Sequence, residues 1–114
     1  MILGVGVDIC QNNRVNQDLA NRVLNDEEFK IYNALKLENR KIEFLASRFA
    51  VKEAIIKALS QSNFEVFMRD IIILNDDLNR PYVKNPKYNS ISINISISHE
   101  KDYSIGFAVI EKID

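Results

Sequence analysis

The chain has 114 residues, 46% of them hydrophobic and 27% charged, which fits one globular domain with a real core and excludes a disordered chain. Fifteen Lys and Arg against sixteen Asp and Glu leave a net charge of −1, without the basic excess of a nucleic-acid coat or a membrane-surface binder. The single Cys10 allows neither an internal disulfide nor a Cys-based metal cage, and no apolar run reaches the ~20 residues of a membrane span, so a cytoplasmic protein is expected.

The opening residues lack the basic region and cleavage site of a signal peptide. They alternate instead. Leu3, Val5, Val7 and Ile9 fall on one face of a predicted strand, and Ile2, Gly4, Gly6 and Asp8 on the other. Two glycines inside a strand mark close approach of another backbone or of a ligand. Asp8, at the strand's end on the glycine face, either caps the next segment or serves a site. Residues 11–24 are polar, with Val15, Leu19, Val23 and Leu24 at the spacing of a short amphipathic helix. Asn25-Asp26-Glu27-Glu28 then reads as a helix start, with Glu28 at the capping-box position and Phe29, Tyr32 and Leu35 forming an apolar stripe.

The longest predicted helix runs from about Asn39 to Ser60, without Pro or Gly. Glu53 and Lys57 are i,i+4 neighbours in a sector shared with Ile42, Ala46, Phe49 and Ala50, while Arg48 and Lys52 make a second polar pair. Charges in an apolar sector are costly unless paired or functional, so Glu53 and Lys57 form either a helix ion pair or part of a site. After Ser60-Gln61-Ser62-Asn63 the pattern changes to strands. Ile71 to Leu74 is a buried run, Asn75 to Arg80 a turn, and Pro81 to Val83 a short strand. Ile91, Ile93, Ile95 and Ile97 alternate with Ser92, Asn94, Ser96 and Ser98, and a hairpin at 99–102 leads to Tyr103, Ile105, Phe107 and Val109. The predicted fold class is α+β: one small domain over residues 1–114, with early helices and a mainly antiparallel sheet.

Gly4-x-Gly6 lies within a strand and is no phosphate loop. Ser98 and His99 are strand neighbours pointing to opposite faces, which disfavours a hydrolase dyad. What remains is two carboxylates, Asp8 and Glu53, with Lys57, Arg48 and His99. Hard carboxylates suit Mg²⁺, and nearby cations suit a diphosphate. Taken alone, these residues point to Mg²⁺-dependent phosphate chemistry.

Three segments resemble a known family. Gly4-Val5-Gly6-Val7-Asp8-Ile9 is similar to its opening motif and the run from Phe44 to Ala58, with Arg48-Phe49-Ala50-Val51-Lys52-Glu53 at its centre, to its helix motif. Ile95-Ser96-Ile97-Ser98-His99 with Tyr103 is similar to its final hairpin. In order, spacing and length the chain resembles the holo-[acyl-carrier-protein] synthase family of 4′-phosphopantetheinyl transferases. The resemblance implies transfer of phosphopantetheine from coenzyme A to a serine of an acyl carrier protein, in support of fatty acid biosynthesis, with release of adenosine 3′,5′-bisphosphate. It implies Asp8 and Glu53 as Mg²⁺ ligands, Arg48 and Lys57 as phosphate-contacting cations, and His99, Arg80 and Pro81 at the coenzyme A site. It also implies a homotrimer with sites between subunits, and a carrier-docking surface that includes Arg14 and Arg22.

On that resemblance Asp8, Glu53 and Lys57 are the catalytic set, and the serine proton goes to Glu53, to a metal-bound hydroxide or to neutral Lys57. A non-catalytic coenzyme A or nucleotide-binding module on the same fold is the alternative. The chain departs from the family pattern in three places. Ser60-Gln61-Ser62 replaces Gly-x-Gly after the helix, Asn79-Arg80-Pro81 replaces Gly-Lys-Pro, and Glu100 replaces a small hydroxyl residue. Lost glycines predict moved backbone donors, and Glu100 predicts repulsion of a phosphate.

Overall fold

The computed structural model describes residues 1–84 and 86–113. In chain order the elements are β1 (Ile2–Gln11), α1 (Gln17–Val23), α2 (Asp26–Ala34), α3 (Glu38–Ser60), β2 (Ile72–Asn75), β3 (Pro81–Lys84), β4 (Ile91–His99) and β5 (Tyr103–Lys112). Short 3-10 turns at Asn12–Arg14 and Met68–Asp70 join them. The polar stretch after β1 thus divides into a turn and a two-turn helix, because Asn16 caps α1 by accepting the Leu19 N–H. The predicted capping box at α2 forms in both directions between Asn25 and Glu28.

β1, β5 and β4 make an antiparallel sheet in that order, and β2 pairs with β3 as a separate hairpin. α3 crosses the inner face of the sheet. Val51, Ala54, Ile55, Ala58 and Leu59 of α3 meet Ile91 of β4 and Ala108 and Ile110 of β5, and all of them are buried. The β1 glycines explain how close the helix comes. A Cβ on Gly6 would overlap the Ala54 carbonyl oxygen and lie 2.9 Å from its carbon, and one on Gly4 would strike the Ala58 carbonyl. The approach predicted by the glycines is therefore to a backbone, that of α3.

A smaller core seats α1 on α3 through Ala20, Val23, Leu24 and Leu45. On the sheet's outer face the larger apolar side chains point away from α3. Val7 is 57% exposed, Ile9 59% and Phe107 41%, with Val5, Ile105 and Tyr103 beside them. Here the register puts Val7 opposite Phe107 and Ile9 opposite Ile105.

Candidate active site

Asp8 is no cap, since β1 continues to Gln11. Its side chain lies on the glycine face, beside α3, and Oδ1 accepts from Lys57 Nζ at 2.7 Å. The same ammonium lies 3.4 Å from the Val7 carbonyl oxygen. Lys57 therefore pairs with Asp8 rather than with Glu53. Glu53 is half-buried near both. Burial, then the Asp8 charge, raises its carboxyl above the usual range, and Lys57 offsets part of the rise. The hydrogen bond to Asp8 raises Lys57 and holds it as an ammonium.

Beyond Lys57, Gln61 and Ser62 of the segment that replaces Gly-x-Gly serve β1, while Ser60 Oγ donates back to the Lys57 carbonyl. The Gln61 amide accepts from Val5 N–H at 3.0 Å and donates to the Val5 carbonyl at 2.8 Å, while Ser62 Oγ donates to the Leu3 carbonyl at 2.7 Å. Asn63 takes up the left-handed backbone, with φ 63°.

A cleft of about 630 Å³ opens on another side of α3, lined among others by Phe44, Ser47, Arg48, Asn75, Pro81 and His99. Arg48 is 6% exposed, and its guanidinium stacks 4.4 Å from the Phe44 ring centre. Nη2 reaches Asn75 Oδ1 at 3.4 Å, and Nε is buried without a protein partner among the described residues. Burial lowers the Arg48 pKa, the usual sign of a desolvated cation.

Asn75 also donates to Asn79 Oδ1 at 2.9 Å. Asn79, standing where the family pattern has glycine, adopts φ 63°, a conformation asparagine tolerates. Arg80 is exposed and tied to Asp76 at 2.8 Å; unlike its neighbour Pro81 it forms no part of the cleft wall. His99 Nδ1 stands 3.6 Å from Glu43 Oε2. Glu100 spends its carboxylate on the hairpin, accepting from the Asp102 and Tyr103 N–H groups at 2.9 Å. The buried Asn12 side chain pins the same hairpin through the Glu100 and Lys101 carbonyls.

The predicted residues thus fall into two groups. Asp8, Glu53 and Lys57 stand at the β1 edge; Arg48, Pro81 and His99 stand at the cleft toward β4, the opposite edge of the sheet. On α3, Glu53 and Lys57 lie ~140° and ~180° around the axis from Arg48. None of the carboxylate group lines the cleft. Arg14 and Arg22 are exposed, at the end of the 3-10 turn and in the last turn of α1.

Two residues of consequence escape the sequence reading. Lys52 pairs with Glu28 in the interior rather than with Arg48 along the helix. A helical wheel carries the signal, since it sets Lys52 among Leu45, Ile55 and Leu59. Glu43, facing His99, gives no such signal because it sits in an ordinary polar helix turn.

The model of the 4′-phosphopantetheinyl transferase superfamily matches residues 4–108. The chain belongs to that superfamily, in its holo-[acyl-carrier-protein] synthase branch. It is 39% identical over 117 residues to the holo-[acyl-carrier-protein] synthase of Oceanobacillus iheyensis, covering 97% of this chain and 98% of the relative. The enzyme of the same name from a Geobacillus species is 40% identical, with 99% of each chain covered. Among solved structures, a holo-(acyl-carrier-protein) synthase from Bacillus anthracis in complex with CoA (3′,5′-ADP) aligns with TM-score 0.85 and 32% identity over 99% of both chains. The chain is therefore a transferase of the α+β phosphopantetheinyl transferase fold.

Proposed function

We propose that this chain transfers 4′-phosphopantetheine from coenzyme A to a serine of an apo-acyl carrier protein, with Mg²⁺, releasing adenosine 3′,5′-bisphosphate. The observation that carries this reading is Arg48. A guanidinium this buried, stacked on Phe44 and left with an unpaired Nε beside a cleft, calls for an anion. Coenzyme A supplies phosphates, and the cleft offers Pro81 and His99 to the rest of the nucleotide.

The donor set at the β1 edge fits Mg²⁺. Among the described residues no cluster of three or more acidic, His or Cys side chains exists, but Mg²⁺ is commonly held by one or two carboxylates plus substrate phosphates. Asp8 and Glu53 would hold it, and when bound it neutralises the diphosphate and makes phosphorus easier to attack. Lys57, kept charged by Asp8, acts as a cation toward phosphate and is a poor proton acceptor. Glu53, raised by burial and by Asp8, is the better acceptor for the serine proton. Catalysis then rests on positioning and charge stabilisation.

The two groups of residues at opposite sheet edges, together with the exposed apolar face of β1 and β5, support a homotrimer in which neighbouring copies complete each site. Arg14 and Arg22 offer an exposed basic surface to an acidic carrier protein. None of the described helices is long and apolar enough to cross a membrane, in keeping with a role in cytoplasmic fatty acid biosynthesis. The test is to mix the protein with coenzyme A, Mg²⁺ and apo carrier protein and to weigh the carrier. A gain of one phosphopantetheine unit is expected; an unchanged mass refutes the assignment.

A further inference from the structure

The buried ion pair lies outside both groups of site residues. Lys52 and Glu28 are fully buried, with Nζ 2.6 Å from Oε1. Nζ also donates to the Val23 carbonyl at the end of α1, at 2.6 Å. Glu28 Oε1 accepts from the Asn25 N–H at 3.2 Å, and Oε2 from the Ile73 N–H in β2 at 3.1 Å. One pair therefore joins α1, α2, α3 and β2. Glu28 is moreover the one fully buried residue of α2, so the deepest anchor of this helix is a charge, with Phe29 and Tyr32 packing beside it.

Stability alone does not account for such a pair. Removing two charges from water is costly, and apolar side chains of equal volume often hold a core as well or better. What the pair does link is the walls of the cleft. Arg48 stands one helical turn before Lys52. Ile31 follows Glu28 on α2 with Leu35 just past its end, and Leu74 and Asn75 follow Ile73 on β2; all five line the cleft. We propose that Glu28 and Lys52 are positioning residues: their ion pair holds the α2 and β2 walls at a set distance from Arg48 and thereby determines affinity for the nucleotide of coenzyme A without touching it. This rests on the reading that the cleft receives that nucleotide.

The test is the double variant Glu28→Gln/Lys52→Met, which removes both charges while keeping chain length and a carbonyl oxygen to accept from the backbone. The Michaelis constant for coenzyme A should rise about tenfold with kcat within about twofold, since a wall displaced by a fraction of an ångström weakens binding before it disturbs the distant carboxylates. The dissociation constant for adenosine 3′,5′-bisphosphate, by calorimetry, should rise in parallel, and the Michaelis constant for the carrier protein should not move. A folded double variant with the parent's values for coenzyme A and the bisphosphate overturns the proposal. Lys52→Arg keeps the charge but forces a wider head group between α2 and α3. It should show the same split, and parent-like constants there overturn the proposal even if the double variant does not fold. If the parent itself neither binds nor uses coenzyme A, the reading of the cleft fails instead.

Discussion

Gly6→Ala tests whether the contact between β1 and α3 sets the geometry of the carboxylate pair. The added methyl would overlap the Ala54 carbonyl oxygen and sit 2.9 Å from its carbon, where ordinary contact begins at 3.4 Å. Both partners are backbone atoms, and no side chain can swing aside. α3 must therefore retreat from β1 by at least ~0.5 Å, an overpacking strain worth ~1–3 kcal/mol. Gly6 precedes Asp8 by two residues and Ala54 follows Glu53 directly, so the same retreat separates the two carboxylates. Metal–ligand distances tolerate ~0.2 Å, less than half that displacement. The variant should lose stability in urea by the stated amount. At saturating coenzyme A it should also lose most transfer activity, part of which returns as Mg²⁺ is raised. A variant with the parent's urea midpoint and parent-like turnover would show that the helix and strand do not constrain the pair, and the geometric reasoning would fall.

Asp8→Asn and Glu53→Gln should each nearly abolish transfer, with non-additive losses in the double variant and partial rescue of the singles by Mn²⁺; near-normal turnover of Glu53→Gln without added metal contradicts its role as ligand. Stability should move the other way for Glu53. Its folded carboxyl is raised above its unfolded value, so the stability it contributes is full at low pH and lost as pH rises through the folded pKa. In EDTA, Glu53→Gln should therefore be more stable than the parent at pH 7, with the difference closing below the unfolded value near ~4.3; urea midpoints at both ends check the sign. Reversing Arg14 and Arg22 to Glu should raise the Michaelis constant for carrier protein and spare that for coenzyme A, and the parent's preference should fade with salt. Light scattering at micromolar concentration should return a trimer mass, and a fully active monomer would refute the shared-site picture.

Local rules account for most of the fold. Alternation located β4 and β5, the capping box located α2, and the long run of helix formers placed α3 to within one residue at its start. The glycines of β1 announced a close backbone or ligand, and the backbone of α3 is what lies there. Facing was harder to read. Alternation says that Val5, Val7 and Ile9 share a side, but not that the glycine side turns to the core; that depends on how near α3 lies, a tertiary fact. The same limit applies to the site. Spacing along α3 suggested Glu53 with Lys57 and Arg48 with Lys52, yet each lysine finds its carboxylate on another element, Asp8 in β1 and Glu28 in α2. Contacts across ~25 to ~50 residues of sequence leave no periodic trace.

The segment that follows α3 has a bearing on how the chain avoids aggregation. β1 is an outer strand of ten residues with apolar side chains on its open face, the kind of edge on which further strands add and fibrils begin. Along its free margin Ser62 occupies the Leu3 carbonyl, Gln61 both polar groups of Val5, and Lys57 the carbonyl of Val7. From Leu3 to Val7 every second residue is thus already engaged by a side chain from the end of α3 or just beyond it. Where a glycine would leave that margin open Ser62 covers it, and with Gln61 beside it acts as a gatekeeper that keeps this stretch of edge from pairing with a passing strand.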